Sequence, residues 1–197
     1  GSVWTSGGAM NTGRQYLAGF GTQTSAVATG GAPGTIALTE EYNGTSWTEV
    51  ADLNTARTSI AGAGIATAGL VFGGGGDLDA TEEWDGSSWT TSGGLNTGRS
   101  GSTGSGTQTA ALAMGGGSSA FSPPAIGNTE NYDGTSWVTS ATMAQGRAAG
   151  SGSPAGTSTA ALQTNGSIGT SPSSHPGATE EFTGETTAIN FKTLTTS

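Results

Sequence analysis

The segments Glu41-Tyr42-Asn43-Gly44-Thr45-Ser46-Trp47, Glu83-Trp84-Asp85-Gly86-Ser87-Ser88-Trp89 and Asn131-Tyr132-Asp133-Gly134-Thr135-Ser136-Trp137 are copies of one unit, and a degenerate fourth runs Glu181-Phe182-Thr183-Gly184-Glu185. In each intact copy, Asn-Gly or Asp-Gly stands between an aromatic residue and Ser-Trp, a strong short-range signal for a β-hairpin. Ten residues beyond each Trp comes an Arg: Trp4 to Arg14, Trp47 to Arg57, Trp89 to Arg99 and Trp137 to Arg147. Arg-to-Arg steps of 43, 42 and 48 define four repeat units, at about 3–50, 51–92, 93–140 and 141–184. Residues 185–197 follow as a tail, and Gly1-Ser2 resembles the scar left by tag cleavage.

Within a unit the pattern predicts four strands, A to D. Strand A follows the Arg, as in Ser59–Ala63. Strand B is an Ala-rich apolar run ending in paired glycines, as in Ala110–Met114 before Gly115-Gly116. Strand C carries Thr-Glu and the aromatic, and strand D starts at the Trp. Four-stranded units at this period indicate a β-propeller or a β-solenoid. The unit is too long and too rich in hairpin turns for one rung of a β-helix, which favours an all-β propeller of four blades, each of four antiparallel strands. A helical solenoid is excluded, because no stretch sustains apolar residues at helical spacing and glycine recurs every few residues. Val3–Ser6 is in phase with strand D, so the simplest ring pairs it with Thr179–Phe182 and joins the N- and C-terminal strands. The tail segment Ile189–Leu194 is the alternative for that closing strand.

Composition agrees with such a stack. Leu, Ile, Val and Phe total only 25 of 197 residues, whereas glycine alone numbers 37. A conventional aliphatic core is ruled out, but a propeller needs Gly and Ala where inner strands converge and large aromatics in the wider outer gaps. A lone copy cannot cover both of its faces, so copies must stack. The formal charge of −9 rests on only four Arg and one Lys. That leaves no basic surface for phosphates and argues against nucleic acid as a partner. Zero cysteines exclude disulfides and thiolate metal sites. No apolar run approaches the roughly 20 residues of a membrane helix, so no membrane insertion is expected, and no signal peptide is visible.

Over about residues 3 to 184 the unit resembles the kelch repeat. The apolar strand ends in Gly-Gly (Gly30-Gly31, Gly73-Gly74, Gly115-Gly116), then come an aromatic (Tyr42, Trp84, Tyr132), a Trp (Trp47, Trp89, Trp137) and a downstream Arg. The aromatic and the Trp are five apart, closer than in most kelch repeats, and the fourth copy has Asn165-Gly166 and no Trp. The Thr-Glu-Glu-Tyr-Asn-Gly-Thr-Ser-Trp and Leu-Asn-Thr-Ala-Arg wording is similar to kelch-like arrays in structural proteins of marine bacteriophages. That resemblance implies a propeller fold and a place in a virion or outside the cell.

Candidate chemistry is sparse. Arg14, Arg57, Arg99 and Arg147 share one repeat position with Trp4, Trp47, Trp89 and Trp137 at another, which predicts structural roles. The Arg residues are expected to pair with the equally repetitive Glu40, Glu82, Glu130 and Glu180. Asp77 and Asp79, after Gly73–Gly76, are the one acidic pair tied to a single loop. A hard cation could use such oxygens, but two carboxylates do not complete a site, so neither metal nor cofactor is expected. His175, the sole histidine, lies in the Pro/Ser loop Ser171–Pro176. Without a cysteine or a second histidine no nucleophilic triad is supported, and no catalytic residue is expected.

Length variation is more informative. From the strand C Glu to the next Arg the distance is 17 in all three cases, whereas Arg to the next Glu runs 26, 25, 31 and 33. All variation therefore lies between Arg and Glu, and most of it falls after the Gly-Gly, in loops between strands B and C. The long ones are Gly117–Asn128, with Ser119 and Phe121, and Gly166–Ala178, with Ser174 and His175. Variable loops on a rigid scaffold are where binding concentrates. The expectation is a non-enzymatic structural or adhesive module whose B–C loops meet a protein or a host-surface glycan. Its rival is a lectin-like propeller with one sugar pocket per blade, lined by Trp and Asx.

Overall fold

Period-two alternation of small and large residues lays each repeat out as an antiparallel meander. The computed structural model describes residues 2–119, 122–152, 156–168 and 177–184, and every regular element among them is a β-strand. The first sheet holds β1 (Ala18–Thr22), β2 (Ser25–Thr29), β3 (Thr39–Tyr42) and β4 (Trp47–Glu49) in that order. The second holds β5 (Ala61–Ile65), β6 (Ala68–Phe72), β7 (Thr81–Trp84) and β8 (Trp89–Ser92). In the third repeat β9 (Thr103–Thr107) and β10 (Ala110–Met114) are followed by a small hairpin, β11 (Gly117–Ser119) with β12 (Ser122–Ala125). Strands β13 (Thr129–Tyr132) and β14 (Trp137–Thr139) complete that sheet. The fourth sheet has three strands, β15 (Ser151–Gly152), β16 (Ala160–Thr164) and β17 (Thr179–Thr183).

The hairpin signal produces a longer turn than Asn-Gly alone suggests. Strand pairing ends at Tyr42↔Trp47, Trp84↔Trp89 and Tyr132↔Trp137, which leaves four-residue turns. The Asx side chain closes each from inside: Asp85 Oδ1 accepts the Ser87 and Ser88 N–H groups, both at 2.8 Å. Asn43 and Asp133 do the same in their own turns. Side-chain hydrogen bonds from Ser87, then the backbone bonds, hold the Asp85 carboxyl down at about 2.

Successive sheets pack face to face through the alternate residues of their strands. Between the first and second sheets lie Ala18, Phe20 and Val27 against Ile60, Val71, Trp84 and Trp89. Between the second and third lie Ala61, Ala63, Leu70 and Phe72 against Ala111, Ala113, Tyr132 and Trp137. Glycine is required where the large rings land, since a methyl group on Gly69 would run into the Phe20 ring. The strand D Trp then reaches back one sheet: Trp89 Nε1 donates to Thr39 Oγ1 at 3.1 Å, and Trp137 Nε1 to Thr81 Oγ1 at 2.9 Å. The third and fourth sheets share a smaller core of Leu112, Met114, Ala161 and the half-buried Phe182.

Among the described residues the four sheets do not close. Val3–Ser6 forms no strand and does not pair with Thr179–Phe182. Residues 7 and 8 lie instead against the first repeat's own turn, where Gly7 and Gly8 approach Tyr42, Thr45 and Ser46. This copies a contact inside the array, where Gly93 lies against Thr135 and Ser136 of the following repeat. Residues after a strand D are thus held by the next sheet, and that contact governs where the N-terminal segment goes. The alternative closing strand, Ile189–Leu194, lies outside the described residues.

Candidate functional site

The end of the sheets that carries the B–C loops is built around one recurring latch. In each repeat the linker into strand A brings an Arg onto the strand C Glu: Arg14 to Glu40 at 2.7 Å, Arg57 to Glu82, Arg99 to Glu130, and Arg147 to Glu180 at 3.1 Å. The first three pairs are sealed from solvent, while Glu180 is 22% exposed. Asn adds to the first three latches. Asn54, for example, donates its backbone N–H and Nδ2 to Glu82 Oε2 at 2.7 and 2.9 Å, and Nδ2 also reaches the Trp89 carbonyl. Asn11 and Asn96 repeat this set. In the fourth repeat Ala144 stands there and gives only its N–H. Burial alone would raise the Glu40 carboxyl, but donation from Asn11, Arg14 and Thr12 outweighs it and holds the pKa below the ordinary range. Glu180 is held down the same way by Ala144, Arg147 and Gln145. For Arg57 and Arg99 burial dominates and pulls the guanidinium pKa down against the neighbouring carboxylate.

The same linkers hold the preceding repeat through their backbone. Leu53 and Arg57 donate N–H to Ala37 and Ile36, Leu95 and Arg99 to Asp79 and Leu78, and Met143 and Arg147 to Gly127 and Ile126. In return Gly31, Gly74 and Gly116 donate to the carbonyls of Arg57, Arg99 and Arg147 at 2.9, 2.9 and 2.7 Å. This explains the paired glycines. Gly73 sits at φ +71°, and a Cβ there would stand 2.6 Å from the Arg99 carbonyl. The B–C loops are therefore clamped at their stems, and only their tips are left to differ.

Of the loop residues singled out from sequence, Asp77 and Asp79 are exposed, and it is the backbone of their loop that grips the linker. No group of three or more metal-ligating side chains occurs among the described residues. Ser119 ends β11 in the extra hairpin that rises from the third repeat's loop. Phe121, Ser174 and His175 lie outside the described residues. Trp89 and Trp137 are buried, Trp47 is half-buried, and Trp4 is fully exposed.

Two cavities and one buried phenol lay beyond sequence reasoning. A cavity of about 970 Å³ is lined by residues of all four repeats, among them Phe20 and Trp47 of the first, Ile65 of the second, Gln108 of the third and Thr157 of the fourth. A second, of about 180 Å³, lies between the third and fourth sheets, lined by Met114, Thr129, Gln163, Glu180 and Phe182. At the second junction the Tyr132 hydroxyl donates to Glu83 and shares a hydrogen bond with Ser92. Burial, reinforced by Glu83, pushes this phenol up to about 12. The Asn of each latch could have been found from its fixed place three residues before Arg14, Arg57 and Arg99. Among known proteins, no family model and no curated sequence matches the chain.

Proposed function

We propose that the four sheets are blades of a kelch-like β-propeller array and that the chain is a non-enzymatic structural or adhesive module, of the kind a phage particle carries. The observation behind this reading is the division of labour at the B–C end. The repeated Arg, Glu, Asn and Gly-Gly groups are engaged in holding sheet to sheet. Variation is confined to loop tips on clamped stems, and the third repeat adds a whole hairpin there. A rigid base carrying irregular tips suits recognition of a partner protein or a host-surface glycan. Groups repeated in near-identical surroundings suit acid–base chemistry poorly, because a general acid and a general base need different environments.

The test is a glycan-array screen of the whole chain with and without calcium, followed by calorimetric stoichiometry and replacement of residues 118–124 by a short glycine turn, which leaves the stem residues Gly117 and Ile126 in place. The expected result is one site per chain for a single glycan class, lost with the shortened loop. Binding that survives the shortening removes the loop reading. About four equivalent sites would instead indicate one pocket per repeat.

A further inference from the structure

Each junction between repeats has a donor side and an acceptor side, and among the described residues one of each is unmatched. On the acceptor side is the cavity of about 180 Å³ between the third and fourth sheets. Thr129 lines it, at the position from which Thr39 and Thr81 receive Trp89 and Trp137. The fourth repeat has no Trp of its own. Gln163 also lines this cavity, and its Oε1 is buried without a hydrogen-bond partner. Beside it β17 is the outer strand of its sheet, with no strand on its far edge among the described residues. An uncovered edge of this kind invites strand addition.

On the donor side, Val3 is 80% exposed and Trp4 is fully exposed. Trp4 stands ten residues before Arg14, the interval that separates every strand D Trp from the Arg of the next repeat. Residues 7–14 are already docked on the first repeat through Gly7, Gly8, Asn11 and Arg14, just as residues 93–99 are docked on the third. The segment has the anchoring of an interior linker, and among the described residues Val3–Ser6 pairs with no strand.

We propose that these ends join between two copies of the chain, head to tail. Val3–Ser6 of one copy adds to the free edge of β17 in another, and its Trp4 indole enters the cavity and donates Nε1–H to Thr129. Because the Trp-to-Arg interval is the same as inside the chain, docking the strand brings the first repeat of the second copy onto the fourth repeat of the first. Trp47 then faces Thr179, the counterpart of Thr39 and Thr81, and the Gly166 N–H faces the Arg14 carbonyl. The junction continues an interface that the chain already contains, which is the reason to place a second copy there. It stands independently of the proposed function.

The entering segment Val3–Ser6 is uncharged, the receiving strand carries Glu180 and Glu181, and each chain carries −9. Association is therefore expected to strengthen as salt screens the repulsion between copies. The experiment is sedimentation velocity on the whole chain over a range of concentration at low and at moderate salt, with Trp fluorescence recorded on the same samples. Concentration-dependent species of two or more chains are expected, with a blue shift as Trp4 leaves water. Trp4→Ala removes nothing from the isolated chain, so it folds, and it should weaken association by about tenfold or more (about 1.4 kcal/mol). A peptide spanning Ser2–Met10 should cap the acceptor end and dissociate the oligomer. A chain that stays monomeric at every concentration overturns the proposal, and a blue-shifted Trp4 in that monomer would mean closure within one chain. Association indifferent to both Trp4→Ala and the peptide also overturns it, and would point to another occupant such as residues 185–197.

Discussion

The junction between the second and third repeats and the fourth repeat's attachment to the third use the same plan with different completeness. The former has Trp137 on Thr81, Tyr132 on Glu83 and a solvent-sealed Arg99–Glu130 pair with its Asn96. The latter keeps Arg147–Glu180 but has no Trp and no latch Asn, and its Glu is partly wet. The polar latch therefore tolerates the loss of its neighbours, but the dry environment does not survive it. Aromatic cover makes the ion pair costly to break, because an exposed carboxylate can return to water and a sealed one cannot.

The largest test of that contrast is removal of the cation. Arg99→Ala leaves Glu130 buried and alone, and is expected to destabilise by about 3–5 kcal/mol. Arg147→Ala strands a carboxylate that water can reach, and should cost about 1–2 kcal/mol. Equal losses in urea denaturation would break the comparison. Next comes the aromatic cover itself. Trp137→Ala should cost roughly 3–5 kcal/mol, whereas Trp47→Ala, half-buried at the first sheet's open face, should cost about 1–2 kcal/mol, both read as shifts in the thermal midpoint. Smaller again is the backbone effect. Gly73→Ala places a Cβ against the Arg99 carbonyl at positive φ and should cost about 1–3 kcal/mol, while Gly13→Ala, with open space around it, should stay within about 0.5 kcal/mol.

The pH profile separates the two regions without any mutation. Glu40 and Glu180 are held below their ordinary value of 4.5 in the folded chain. The stability they give is present above that value and is lost as pH falls through their folded pKa. Tyr132 is raised from 10.0 to about 12, so its contribution is present below pH 10.0 and disappears on the way to about 12. Thermal melts across pH should show both limbs, with Tyr132→Phe flattening the alkaline limb alone. The smallest effect is a gain. Ala144→Asn restores the missing donor to Glu180 and should add about 1 kcal/mol.

Much of this was legible in the sequence because repetition puts four readings of each position side by side. The interval from Glu to Arg and the start of β4, β8 and β14 at Trp47, Trp89 and Trp137 follow from the repeats, as does the extent of β10, Ala110–Met114. The hairpin was read from its Asx-Gly, and what that reading missed is the Asx carboxylate or amide closing the turn by accepting two N–H groups. The Gly-Gly pairs were seen as strand ends. Their partner, the Arg carbonyl of the following repeat, is 25 to 31 residues away and invisible without coordinates. The phase of Val3–Ser6 matches that of strand D, but the segment forms no strand. Phase says nothing of which edge receives it, and the described fold holds no pairing for it. Thr39 and Thr81 escaped notice because a threonine in a strand advertises packing, and only the indole aimed at each discloses its second task.

The linkers between repeats grip backward with their backbone and forward with their side chains. For a chain under tension this arrangement works as a row of independent fuses. Clamps in series carry the same load, so the weakest opens first, and the dry clamps at Arg57 and Arg99 should give way at higher force than the wet one at Arg147. Under shear the chain is expected to lose an outer sheet and keep the others, so damage stops at a repeat boundary and spares the array as a whole.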